Sequence, residues 1–211
     1  DSFSPVCGTN ENVLGVVVRA DSPARDIAGF HAMARAQGAK LNYGSAGNGT
    51  PLHLGAELYK LMMGVDLTHV AYRGTGPAIT ALLSGDVSMV FADVPGASAH
   101  IASGAVRPLA SLVKTRIAQL PDVPTMAEAG FPGAEVDLWY GLLAPAGLPA
   151  AMREQLRAAL DEWLRLPATA EQLRAQGMFT VGGSSEDFAA VIAADKDRWA
   201  SIIQRAGLSA D

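Results

Sequence analysis

A single cysteine, Cys7, stands in a chain of 211 residues. One thiol builds neither an internal disulfide nor a thiolate metal cluster, so it is most simply a small buried side chain. Charge is sparse as well. Charged residues make up 18%, the formal net charge is −5 and the pI is near 5.3. With no basic run to offset that balance, a nucleic-acid surface is argued against. No apolar stretch approaches the roughly 18–20 residues of a membrane-spanning helix. No signal-peptide pattern opens the chain, and Asp1-Ser2-Phe3-Ser4-Pro5 reads as the interior of something longer. Aromatics are only 6%, but hydrophobic residues reach 49%, which is globular and not disordered.

Glycine, by contrast, is plentiful, and its most informative cluster lies in Asn42-Tyr43-Gly44-Ser45-Ala46-Gly47-Asn48-Gly49-Thr50-Pro51. Three glycines in this loop let the backbone turn sharply and approach another object closely. Thr50 sits where a helix N-cap belongs and Pro51 suits the first helical position. The product is a cup of N–H groups and hydroxyls at the positive end of a helix, which favours carboxylate or phosphate. The nucleotide patterns fail here. Asn48-Gly49-Thr50 lacks the P-loop lysine, and the glycine spacing does not fit a dinucleotide fold.

Val13-Leu14-Gly15-Val16-Val17-Val18 is a β-branched run expected for a strand covered on both faces. A helix from Asp21-Ser22-Pro23 to about Gln37 follows, then a strand over Lys40–Tyr43 and a helix from Leu52 to Met63 closed by Gly64. Further strands are expected at Leu67–Ala71, Val87–Phe91 and Pro108–Val113, with helices at Pro77–Ser84 and Gly96–Ser103. This alternation predicts a parallel α/β sheet. Beyond Leu120 the pattern changes to one long extended segment, Val136–Pro145, and helices over about Pro149–Leu164, Pro167–Gln176 and Ser185–Ala206. Residues 8–120 therefore read as one α/β lobe, and residues 121–211 as too little sheet for another.

In an open α/β sheet, ligands sit outside the carboxyl ends of the strands. Three such ends are legible: Tyr43–Thr50, Tyr72–Pro77 and Asp93–Gly96. Each alone is also readable as an ordinary βα turn. His53 and Glu57, four apart on one helix face, lack a third metal ligand at a legible spacing, so a surface pair is the simpler reading. Ser45 has no nucleophile-elbow context. Trp163 and Trp199 are expected in the core, while Trp139-Tyr140 stays open between core and cleft.

Several stretches together resemble the periplasmic solute receptors of the tripartite tricarboxylate transporters, also called Bug proteins. They are Leu41–Pro51, His69-Val70-Ala71-Tyr72-Arg73-Gly74, Leu83-Ser84-Gly85-Asp86-Val87, Pro121–Gly130 and Trp139–Gly147. The resemblance implies a two-lobed clamshell, periplasmic-binding-protein-like. Residues 8–120 would be the complete parallel-sheet second lobe, and 121–211 would return to the first. Roughly a hundred residues, most of a lobe, would precede the chain.

The resemblance further implies a non-enzymatic receptor in the periplasm. It would bind a small organic acid and deliver it to membrane permease subunits, without cofactor, metal or nucleic acid and without itself spanning the membrane. Carried over position by position, the ligand-facing candidates are Ser45, Ala46, Gly47, Asn48, Gly49 and Thr50, then Tyr72, Arg73 and Gly74, and finally Asp93. At 73 the family more often has Lys, and at 93 an Asp or Asn is usual. Two other readings stay open: an α/β enzyme using Asp93 with His53 or Tyr72, and a fragment that binds nothing.

Overall fold

The structure, a computed structural model, describes residues 2–12 and 14–208. Along the chain come β1 (Phe3–Asn12), β2 (Leu14–Arg19), α1 (Ile27–Gln37), β3 (Asn42–Ser45), α2 (Pro51–Met63), β4 (Thr68–Ala71), α3 (Thr75–Ser84), β5 (Met89–Asp93), α4 (Val94–Ala102) and β6 (Val106–Ser111). β7 (Leu138–Pro145), α5 (Ala150–Arg165), α6 (Pro167–Ala175), β8 (Met178–Gly182) and α7 (Ser185–Ala206) complete it. Contacts divide the chain into two compact units, Asp1–Asn12 with Leu138–Ser201, and Val13–Asp137 with Ile202–Asp211.

The second of these units is built on a five-stranded sheet of order β4-β3-β5-β2-β6. β3 pairs in parallel with β4 and with β5, as the alternation predicts. β2 does not follow: it runs antiparallel to both β5 and β6, so the sheet is mixed and not wholly parallel. The reason is that Val16, Val17 and Val18 are all buried. A strand covered on both faces is continuously apolar whichever way its neighbours point, so its composition carries no direction.

Helix boundaries follow capping chemistry. α1 starts later than its sequence suggests, at Asp26, whose carboxylate accepts from Gly29 N at 2.7 Å. α2 behaves as expected: Thr50 Oγ1 accepts from His53 N, Pro51 takes the first helical position, and Gly64 ends it in the left-handed region. On one face of the sheet Val17, Val90 and Ala92 pack with Ala78, Ile79 and Leu82 of α3 and Ala97 of α4. Phe91 meets α2, with its ring centroid 6.1 Å from that of Tyr59. Burying each such large apolar side chain stabilises the unit by about 1.5–3 kcal/mol.

The other unit contains a three-stranded antiparallel sheet of order β7-β1-β8. β1 and β8 were not legible as strands. In β1, Pro5 and Gly8 interrupt the pattern, and the register shifts between Pro5 and Cys7 and again between Gly8 and Asn10. Each shift leaves one extra residue on β1, which breaks the two-residue alternation that marks a strand in sequence. Cys7 is buried within it.

Trp163, expected in the core, is 45% exposed, and Met152 and Leu156 on the same helix are exposed too. Trp199 is half-buried, with the Arg198 guanidinium over its ring. Trp139 packs edge-on against Phe188 at 5.2 Å and donates from Nε1 to Asp195 Oδ2 at 2.5 Å.

Gly141 in β7 underlies the buried Phe188 ring. A Cβ there would lie 2.1 Å from the ring and 2.8 Å from the Cys7 carbonyl oxygen. Because one obstacle is backbone, Gly141→Ala is expected to destabilise this unit by about 1–3 kcal/mol, the usual cost of overpacking. Urea denaturation followed by tryptophan fluorescence checks it; an unchanged midpoint would refute the close packing.

Candidate functional site

β4, β3 and β5 lie side by side and point the same way, so their carboxyl ends fall on one edge of the sheet. At that edge α2 begins after Thr50, α3 after Gly74 and α4 after Asp93. The three loops are tied into one surface. Tyr72 N donates to Ser45 O and Gly74 N to Ala46 O, both at 3.1 Å. Thr75 Oγ1 donates to Asp93 Oδ2, also at 3.1 Å.

Each helix start presents unpaired N–H groups and about half a positive charge. Asp93 uses up that of α4, since its Oδ1 accepts from Gly96 N at 2.8 Å. α2 is capped by the neutral Thr50 hydroxyl, and α3 follows Gly74 with no side-chain cap. The positive ends left for a ligand are therefore those of α2 and α3.

Within the glycine loop, hydrogen-bonded amides alternate with unbonded ones. Gly47 N donates to Ser45 Oγ at 3.2 Å, Gly49 N to His53 Nδ1 at 3.1 Å, and Thr50 N to Gly47 O at 3.3 Å. The amides of Ala46 and Asn48 make no hydrogen bond among the described residues. Gly47 and Gly49 have φ of +136° and +71°, a region costly for other residues, so the alternation depends on glycine. At Gly47 a Cβ would also press on the Tyr72 carbonyl oxygen at 3.3 Å.

The ten residues singled out from sequence thus fall on three joined loops, but they do not all face outward. Ser45 is fully buried and its hydroxyl points in. The Thr50 hydroxyl is committed to Gly47 O at 2.7 Å and to its capping bond. Asp93 is half-buried and its two oxygens already serve Gly96 and Thr75. Asn48, Gly49 and Arg73 are exposed, and Ala46, Gly47, Tyr72 and Gly74 are half-buried.

His53 and Glu57 are both buried, which corrects their reading as a surface pair. They belong to a polar cluster beneath the loop. His53 stacks on His69 with centroids 3.9 Å apart, and His69 stacks on Tyr43 at 4.8 Å. Ser45 Oγ lies 2.7 Å from His69 Nε2. Glu57 Oε1 accepts from Tyr43 OH at 2.6 Å and from Lys60 Nζ at 2.9 Å. Burial pushes the Tyr43 phenol far up and holds both imidazoles below their ordinary values, His69 down to about 4.

The Ser45–His69 distance matches a nucleophile and its base, but Ser45 is inaccessible. Asp93 bonds to Thr75 and Gly96, so neither His53 nor Tyr72 is its partner. Sequence reasoning missed His69. Its signal was available: a histidine on the strand beside the glycine loop, level with Tyr43 in the ladder.

The family model described as tripartite tricarboxylate transporter family receptor matches residues 1–208. The UPF0065 protein in the tcbD–tcbE intergenic region of Pseudomonas sp. (strain P51) is 39% identical over 99% of this chain and 62% of its own length. The structure described as R. palustris Rpa4515 with adipate superposes with a TM-score of 0.91 at 31% identity, over 99% of this chain and 70% of that one. MatC of Rhodopseudomonas palustris with bound malate gives 0.86 at 28%, over 95% and 69%. The chain thus spans less than two thirds of the first relative's length. Among the described residues, no helix is long and apolar enough to cross a membrane.

The two stacked imidazoles also set a pH dependence. The unfolded chain binds a proton at His69 near the ordinary value of 6.5, whereas the folded chain takes it up only near about 4. Between these values the unfolded state holds more protons, so stability rises with pH across that window and is flat above it. Chemical denaturation at stepped pH is expected to show this rise, and His69→Gln is expected to make it shallower. An identical slope in the variant would refute a neutral His69 in the folded chain.

Proposed function

Because the chain belongs to the tripartite tricarboxylate transporter receptor family, we propose that it serves as a periplasmic receptor for a small organic carboxylate. In this reading it passes its ligand to the permease subunits of a tripartite membrane transporter. The unit of Val13–Asp137 acts as the lobe that carries the grip. The observation that carries the reading is the edge where α2 and α3 begin, with the Ala46 and Asn48 amides unspent beside them. A carboxylate has two acceptor oxygens for such donors, and two helix N-termini favour its charge.

The exposed Arg73 and half-buried Tyr72 on the adjoining loop supply further donors. Asp93 stands at the far side, already bonded, where it disfavours a second carboxylate placed directly against it. Similar proteins solved with adipate and with malate make these two acids the first ligands to test. No turnover is expected, since the serine that meets a histidine is buried.

Isothermal titration of the protein with adipate and malate tests the reading. Gly47→Val forces a β-branched residue into a φ of +136°, and Thr50→Ala removes the anchor of the Gly47 carbonyl. Each is expected to weaken carboxylate binding by about tenfold or more, equivalent to ~1.4 kcal/mol. Unchanged affinity in both variants would exclude the glycine loop as the grip.

A further inference from the structure

We infer that His53 is a positioning residue for ligand binding: its unprotonated Nδ1 holds the Gly49 amide inward, and a proton on that nitrogen releases the loop and weakens the carboxylate grip. The inference rests on the receptor reading and adds a specific regulator to it. Its basis is the bond from Gly49 N to His53 Nδ1 at 3.1 Å. A backbone amide only donates, so this nitrogen must present its lone pair, and the proton of the neutral ring sits on Nε2. Addition of a second proton places one donor against another, and the Gly49 amide loses its acceptor.

That amide controls more than itself. Gly49 lies between Asn48, whose N–H is unspent, and Thr50, whose N–H and hydroxyl hold the Gly47 carbonyl. Turning Gly49 out re-aims the peptide that precedes it, and with it the Asn48 carbonyl, which then points an acceptor toward the anion. His53 touches no ligand in this scheme. It acts through the loop.

The surroundings favour the neutral ring. On α2, Glu57 Oε1 lies 4.0 Å from His53 Nε2, but the same oxygen already accepts from Lys60 Nζ at 2.9 Å. From β3, Tyr43 OH donates to that oxygen too. From β4, His69 is stacked on His53 at 3.9 Å and would meet an imidazolium face to face. Lys60 and any charge on His69 therefore oppose protonation, and Glu57 favours it. Burial, outweighing Glu57, keeps His53 below its ordinary value.

The test separates acceptor from proton. In His53→Asn the side-chain oxygen takes the place of Nδ1 as an acceptor and cannot titrate; His53→Leu supplies neither. Malate binding by calorimetry at about pH 7.5 and about pH 5 is expected to weaken about fivefold or more in the natural protein. His53→Asn should match the natural protein at the higher pH within about threefold and lose no more than about twofold on acidification. His53→Leu should bind about tenfold more weakly at both. Titration of the ligand itself is common to all three proteins and cancels in their ratios.

An acid loss in His53→Asn equal to that of the natural protein, or full affinity in His53→Leu, would overturn the inference. A ligand-free arm keeps it distinct from the receptor reading. Imidazole nitrogen-15 shifts should show a bare Nδ1 at neutral pH, with slow Gly49 amide exchange that quickens as His53 titrates. A protonated Nδ1 in the neutral ring overturns the inference whether or not any acid binds. Failure of malate and adipate to bind, with the NMR result as expected, counts against the receptor reading instead.

Discussion

The Gly49 amide bonded to a buried imidazole is the contact on which the glycine loop between β3 and α2 depends. A loop that turns through two positive-φ glycines has more backbone donors than its own carbonyls can satisfy. Here the surplus is split. Ser45 Oγ, Gly47 O and His53 Nδ1 take the amides of Gly47, Thr50 and Gly49. Those of Ala46 and Asn48 are left over. The acceptors are themselves fixed: Ser45 by His69, His53 by stacking, and the Glu57 end by Tyr43 and Lys60. Such a network is rigid only while it is fully satisfied, which is why one proton matters.

Anion affinity in a chain of net charge −5 needs local sources of positive potential. The parallel arrangement of β4, β3 and β5 supplies them by putting three helix starts at one sheet edge. Their caps are not equivalent. The carboxylate of Asp93 cancels the field of α4, the hydroxyl of Thr50 leaves that of α2 largely intact, and α3 begins with no side-chain cap. The same Asp93, through Thr75, locks the α3 start in place. One acidic residue thus weakens the field locally and stiffens the donors next to it. Cap chemistry, more than net charge, decides where an anion is welcome.

The antiparallel β2 and the interrupted β1 share a cause with the misjudged Trp163. All depend on which partner a segment meets, and a single sequence records the segment alone. The Pro5–Asn10 stretch becomes a strand because β7 and β8 flank it and its two bulges absorb the misfit. Trp163 stays exposed on α5, while Trp139 finds Phe188 and Asp195.

By itself the sequence determined the elements whose causes are local. Thr50-Pro51 and Gly64 bound α2, Gly85 stops α3, and the glycines at 44, 47 and 49 make a sharply turning loop between β3 and α2. It also determined that the three loops share an edge, because strand–helix alternation allows few other outcomes. Tertiary structure alone decided the direction of β2, and the inward turn of Ser45, Thr50 and Asp93. It also brought buried His53, Tyr43 and Glu57 together with half-buried His69 and Lys60 in one polar cluster. The physical reason is that capping and turning are settled within a few residues of chain, whereas satisfaction of a buried polar atom requires a partner that only folding brings near.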